Sequence, residues 1–166
     1  MNFNQRINLN RKIWYSTCLL FSILFVLVMA NTGLLTGSPL TRNDQSVPPV
    51  LLDDSLFQNA PRDAYAIINI KLENEILTIK VSYSGGCVKH EFSLISSSTF
   101  MESYPVQLNI VLSHDAHDDS CDAILIKILS YDLSPMRLAY QQAYLETSGS
   151  IVLNLEGFAE TLTYQF

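Results

Sequence analysis

From Ala64 to the C-terminus, hydrophobic residues recur at every second position, and no other feature of the chain restricts its fold as tightly. In "AIINIKL", Ile68, Ile70 and Leu72 share one parity. In "ILTIKVSY", Leu77, Ile79, Val81 and Tyr83 do, with Thr78, Lys80 and Ser82 opposite. The period returns with Phe92 and Leu94, with Val106, Leu108, Ile110 and Leu112, and with Ile124, Ile126 and Ile128. It closes with Ile151, Leu153 and Leu155, then Leu162, Tyr164 and Phe166. Successive side chains of a strand point to opposite faces, so this alternation predicts strands with one buried and one wet face. Turn-like stretches at Glu73–Glu75, Ser84–Gly86 and Gly157 separate them. The expectation is an all-β fold, an antiparallel β-sandwich of about seven strands over residues 63–166. One short helix interrupts it: "SPMRLAYQQAYL" offers Ser134 as N-cap and Pro135 at the first helical position. Its Tyr140 and Tyr144, four apart, should pack as a core pair.

The first thirty residues differ in kind. Arg6, Arg11 and Lys12 precede Ile13–Ala30, eighteen residues without a charge, and no acid occurs before them. A basic stub followed by an apolar run is a signal peptide or a membrane anchor. Val28 and Ala30 are small enough for cleavage after Ala30. Against cleavage, the run approaches the length of a transmembrane helix, and Trp14 and Tyr15 sit at its edge, where aromatic rings favour the interface. Under either reading the positive charges hold the N-terminus in the cytoplasm, so the rest of the chain is extracytoplasmic. Residues 31–62, rich in Thr, Ser, Asn, Pro and Gly, read as a flexible linker, with "VLLDDSLF" (50–57) a weak docking segment.

All 16 acidic residues follow the apolar run, against seven of the ten Lys and Arg, which leaves nine net negative charges outside. Nucleic acid and anionic lipid both call for basic patches, so neither is an expected partner. Contact with the membrane is confined to the N-terminal apolar segment. Cys18 lies within that segment, and the "YST" before it is not a lipobox. Cys87 and Cys121 are the two cysteines outside, where an oxidising compartment favours one disulfide between them.

The stretch "SHDAHDDSCD" (113–122) concentrates the groups able to carry chemistry. Cys87, His90, His114 and Cys121 have the count of a tetrahedral zinc set, which a disulfide would exclude. Asp115, Asp118, Asp119 and Asp122 could offer oxygens to calcium, although the glycine and bidentate Glu of an EF-hand loop are missing. His114 and His117 with one carboxylate could hold a transition metal. The simpler reading is a structural turn whose aspartates cap local amides. His90 is in phase with Phe92 and Leu94, and His114 with Ile110 and Leu112, so both should point inward. Asp115 or Asp118 is the expected partner of His90, an aspartate should hold His114, and His117 should face water.

The run "YSGGCVKHEFSL" followed by "ESYPVQLNIVLSHDAHDDSCDA" resembles uncharacterised bacterial envelope proteins of the NigD type, over roughly residues 75–133. The resemblance implies a secreted all-β module with a Cys–Cys bridge and no established activity, and the chain departs from a lipoprotein in lacking the lipobox cysteine. The leading functional expectation is a non-catalytic envelope module, without a cofactor, that binds a protein, glycan or cation. The alternative is a metal-dependent or histidine-assisted hydrolase that uses calcium or zinc, or His90, His114 and His117 with the neighbouring aspartates.

Overall fold

A computed structural model describes residues 46–166. The expected signal or anchor helix, Cys18 and residues 31–45 of the linker lie outside the described residues. Among the described residues no helix is long and apolar enough to cross a membrane. In chain order the elements are β1 (Leu51–Leu52), α1 (Asp54–Asn59), β2 (Ala66–Glu73), β3 (Ile76–Gly85), β4 (Glu91–Ser96), β5 (Val106–Asp115), β6 (Ala123–Asp132), α2 (Ser134–Tyr144), β7 (Ser150–Leu155) and β8 (Leu162–Gln165).

All seven expected strands form, and the two-residue β1 makes an eighth. They build a five-stranded sheet, β1-β4-β5-β7-β8, and a three-stranded sheet, β2-β3-β6. The sandwich is not wholly antiparallel, because β1 runs parallel to β4 and β5 parallel to β7. Parallel neighbours need a long crossover. Between β5 and β7 the chain supplies one by visiting the other sheet as β6 and then turning through α2.

The core is the parity expected for most strands. Leu77, Ile79 and Val81 of β3, Leu108, Ile110 and Leu112 of β5, and Ile151, Leu153 and Leu155 of β7 are all buried. Fully burying each such side chain contributes about 1.5–3 kcal/mol. Leu133 and Met136 of the α2 region close one end, and Tyr164 of β8 donates its hydroxyl to Glu75 Oε1 at 3.2 Å. Burial and that neighbouring carboxylate push the Tyr164 phenol up to about 12.

Two strands depart from the expected parity. In β2 the pairing with β3 shifts between Ile67 and Asn69, so Ile67 packs on the core while Ile68 is exposed, and Ile70 and Leu72 then face inward. One extra residue at a bulge reverses the side-chain phase. In β6 the isoleucines are outside: Ile124, Ile126 and Ile128 are 74%, 62% and 66% exposed, whereas Leu129 and Tyr131 are buried. Lys127, on the inward parity, lays its ammonium over the Phe92 ring, 4.9 Å from the centroid.

The part of the expected linker that is described is packed rather than free. Val50 is buried, and it donates its N–H to the Asp132 carbonyl. The Asp53 side chain caps α1 by accepting from Leu56 N–H at 2.9 Å. Arg62 then ends this stretch by donating to the carbonyls of Phe57, Gln58 and Ala60 while pairing with Glu156. α1 is thus a second helix beside the single one expected, and its apolar contacts are too few to show a period. The cap of α2 also differs. Ser134 is the first helical residue, and the Asp132 carboxylate accepts from its N–H and hydroxyl at 2.8 and 2.7 Å. Tyr140 and Tyr144 do pack together, with ring centroids 4.7 Å apart, against Phe100.

Candidate functional site

At one end of the sandwich the glycine turn after β3, the residue preceding β4, and the loop after β5 converge. Cys87 and Cys121 are bonded there, with Cα atoms 5.9 Å apart across 34 residues. The expected disulfide is therefore present. The Asp119 side chain fills the loop it closes and is inaccessible to solvent. Its Oδ2 accepts from the N–H groups of Gly86, Cys87 and Val88 at 2.8, 3.0 and 3.0 Å, and its Oδ1 from Cys121 N–H at 2.9 Å. The Cys121 amide first, then those of Val88, Cys87 and Gly86, hold this carboxyl far below the usual carboxylate range against the opposing effect of burial. Gly85 makes the approach feasible. At φ +156° a Cβ there would stand 2.5 Å from His90 Nε2 and 3.1 Å from Asp119 Oδ2.

The carboxylate begins a chain of polar contacts that runs inward. His90 Nε2 lies 3.2 Å from Asp119 Oδ2, and His90 Nδ1 lies 2.8 Å from His114 Nε2. His114 Nδ1 lies 3.1 Å from the carbonyl oxygen of Asp63. Both rings are buried, 3% and 1% exposed. His114 stacks on Phe92, centroids 4.2 Å apart and planes 6° from parallel, while Tyr83 lies against both imidazoles.

The chain starts and ends on acceptors, a carboxylate and a carbonyl, and that determines its proton count. Each end requires an N–H, and the contact between the rings requires one more, so a fully paired chain carries three ring protons. The count alone allows the second proton on either ring; the Asp119 carboxylate beside His90 selects that ring, so His90 donates from both nitrogens and His114 from Nδ1 alone. Two neutral rings would set one acceptor against another. Imidazole ¹⁵N NMR near pH 7 should accordingly show His114 as the neutral Nδ1–H tautomer. An Nε2–H tautomer at His114 would contradict the pairing.

Burial pushes the His114 imidazole below its ordinary value, and the His90 charge adds to that against the Asp63 carbonyl. An unfolded imidazole titrates near 6.5. Below that pH the unfolded chain binds a proton that buried His114 resists, so this contribution to stability is complete above about pH 6.5 and is lost as the pH falls. A fourth ring proton would also set N–H against N–H. The thermal midpoint is expected to drop between pH 7 and pH 5, and His114→Ala to flatten that slope. His114→Ala should itself cost about 1–3 kcal/mol by leaving the Asp63 carbonyl and His90 without a partner.

The inward phase of His90 and His114 is as expected, but their partners are not. The carboxylate that meets His90 is Asp119, neither Asp115 nor Asp118, and His114 is held by His90 and a backbone carbonyl. The turn explains the difference. His117 and Asp118 both adopt positive φ, 51° and 55°, which swings the chain back so that Asp119 points inward. Asp118 and His117 are exposed. Asp115 accepts from His117 N–H at 2.9 Å, with the His117 ring 3.5 Å away. The Asp115, Asp118, Asp119 and Asp122 oxygens are thus not brought together. Among the described residues, the convergent metal-ligating set is Cys87, Asp119 and Cys121, and its two sulfurs are joined to each other. Asp63 also belongs to the site. Its N–H donates to the His114 carbonyl and its carboxylate accepts from Ala116 N–H at 2.7 Å, and no periodic or motif signal marks it.

A NigD-like immunity protein from Bacteroides caccae is a solved structure similar to this chain, at 17% identity and a TM-score of 0.49, covering 70% of this chain and 58% of that one. A DUF1344 protein of unknown function from Bacteroides vulgatus is similar at 12% identity and a TM-score of 0.42, covering 72% and 56%. The chain therefore spans less than two thirds of the length of these structures. No curated protein matches. The profile of the NigD-like C-terminal beta sandwich domain matches residues 49–166, from the first residue bridged to β6 through the C-terminus. The two sheets and their bridged loop are that domain, and this chain belongs to the NigD-like C-terminal beta sandwich domain family.

Proposed function

We propose that this protein is a non-catalytic module of the bacterial envelope, held outside the inner membrane, that acts by binding a protein or glycan there. The observation that carries the reading is the use to which the histidines are put. Every ring nitrogen of His90 and His114 is engaged within the domain, on Asp119, on the other ring or on the Asp63 carbonyl. A general base or metal ligand needs a nitrogen directed at a substrate or an ion. A hydrolase built on His90, His114 and His117 would have to open this end of the sandwich first. His117, the third histidine, is exposed beside Asp115, and among the described residues no further ligand converges on it.

The location rests on chemistry as well as topology. A disulfide persists where thiols meet an oxidising environment. Positive charge precedes the apolar run, and Arg42 is the next charge after Lys12, the arrangement that sends the following chain across the membrane. A phosphatase that matures only outside the cytoplasm, fused after Phe166, is expected to be active, and a cytoplasmic reporter at the same place to be silent. The reverse pattern would defeat the reading.

A further inference from the structure

β6 has an edge that nothing among the described residues occupies along most of its length. It pairs with β3 in unbroken register from Ala123 to Asp132. At its far end Asp132 donates its N–H to the Pro48 carbonyl and accepts from Val50 N–H, both at 2.9 Å, so both its polar backbone groups point away from β3. In an antiparallel pair this orientation repeats at every second residue. Ser130, Ile128, Ile126 and Ile124 therefore direct their N–H and C=O groups out of the same edge. Three of these four are the exposed isoleucines of the outer face. Unpaired backbone and uncovered apolar side chains thus belong to the same residues.

Edges of this kind are usually blunted by proline, by a bulge or by charge. The opposite edge of the sheet, β2, is broken by its shift between Ile67 and Asn69. β6 has neither proline nor glycine; of its two charges, Lys127 is folded inward over Phe92, and Asp132 stands at the far end with its carboxylate bonded to Ser134.

We propose that β6 pairs antiparallel with β6 of a second copy of this chain about a two-fold axis at Ile126, joining the two three-stranded sheets into one of six strands. Two-fold symmetry requires a self-complementary strand. "IleLeuIleLysIle" over 124–128 is one: Ile126 meets Ile126 of the second copy, and Ile124 meets its Ile128. All three positions direct both backbone groups to the edge, so each such pair exchanges two N–H···O bonds. The six isoleucines form a continuous apolar row on the outer face, and Lys127 meets only Leu125 on the inner one. Pairing closes the two backbone edges and packs neighbouring isoleucines side by side but leaves the outer face of the row open, so the contact falls at the small end of specific interfaces. The assembly is accordingly a reversible dimer. Pairing between copies needs no binding partner, so the purified chain is enough to show it.

The test is cysteine cross-linking of the full chain in detergent, in a Cys18→Ala background and under mild oxidant. At a directly opposed hydrogen-bonded pair the Cα atoms lie about 5.5 Å apart, within disulfide reach. Ile126→Cys is expected to give a covalent dimer well above the level from Ile68→Cys on the exposed part of β2. Ile124→Cys alone should not cross-link, because its copies are four residues out of register, about 13 Å apart. Mixed with Ile128→Cys, it should. Adding Ile124→Lys and Ile128→Lys to Ile126→Cys is expected to reduce the dimer to the Ile68→Cys level. Ile126→Cys yields no higher than that control would overturn the proposal and leave the edge to a different strand. Equal cross-linking by Ile124→Cys alone and by the mixture would overturn it too.

Discussion

Asp119→Asn is expected to lower the thermal midpoint by at least about ten degrees, whereas Asp115→Asn and Asp118→Asn should each move it by no more than about two. The difference follows from what each carboxylate does. Asp115 and Asp118 lie on the outside of the turn, where water replaces a lost contact. Asp119 accepts four backbone N–H groups and faces one histidine, and both of its oxygens are used. An amide can offer one oxygen, and its NH₂ would point at donors on the other side. The variant would leave buried N–H groups unpaired and His90 without its anion. Acid adds a second readout. The folded carboxyl titrates far below its unfolded value near 3.9, so its contribution is complete above about pH 4 and is lost only as the pH falls through the folded value. Asp119→Asn should lose that acid dependence. Differential scanning calorimetry from pH 7 to pH 3 measures both, and a midpoint within two degrees of wild type at pH 7 would show that the carboxylate does not organise the loop.

Removing the disulfide is the second large perturbation. Closing a loop across 34 residues restricts the unfolded chain by about 3–4 kcal/mol in the chain-entropy account. Cys87→Ala with Cys121→Ala is expected to destabilise the domain by that amount. The double variant should also lose protection of the Gly86, Cys87 and Val88 amides against hydrogen exchange, since Asp119 would no longer be held against them. Neither Cys87 nor Cys121 of the wild-type chain should react with a thiol reagent after unfolding without reductant. Reaction of both would contradict the bond. A loss in urea titrations under about 1 kcal/mol would mean that Asp119 alone anchors the loop.

Much of the sandwich was legible because alternation is a local property, and all seven strands stand where the period placed them. Their faces were harder to read. "AILIKILSYD" is apolar at both parities, and only the sheet opposite decides that Leu129 and Tyr131 go in while Ile124, Ile126 and Ile128 stay out. In β2 one bulged residue reversed the phase, and nothing in "AIINIKL" announces it. The parallel pairings join segments distant in sequence, for which periodicity carries no information. At the site, the inward direction of His90 and His114 followed from phase. The identity of their partners depended on two left-handed residues, His117 and Asp118, and on Asp63, a residue fifty-one positions before His114 whose backbone carbonyl does the holding.

The stretch from Pro48 to Asp63 also bears on how this domain assembles. Pro48 and Val50 bond to Asp132, β1 pairs with β4, and Pro61 and Asp63 bond to Ser113 and His114. None of these contacts is available until strands far downstream have formed, so the segment made first is among the last to find its place. Such high contact order slows folding toward milliseconds to seconds, because a long loop must close before any contact rewards it. In a chain that emerges from its N-terminus, Val50 and the edge of β5 stay uncovered for as long as synthesis and folding of the later strands take. A chaperone that shields nascent chains would therefore be expected to engage this leading segment.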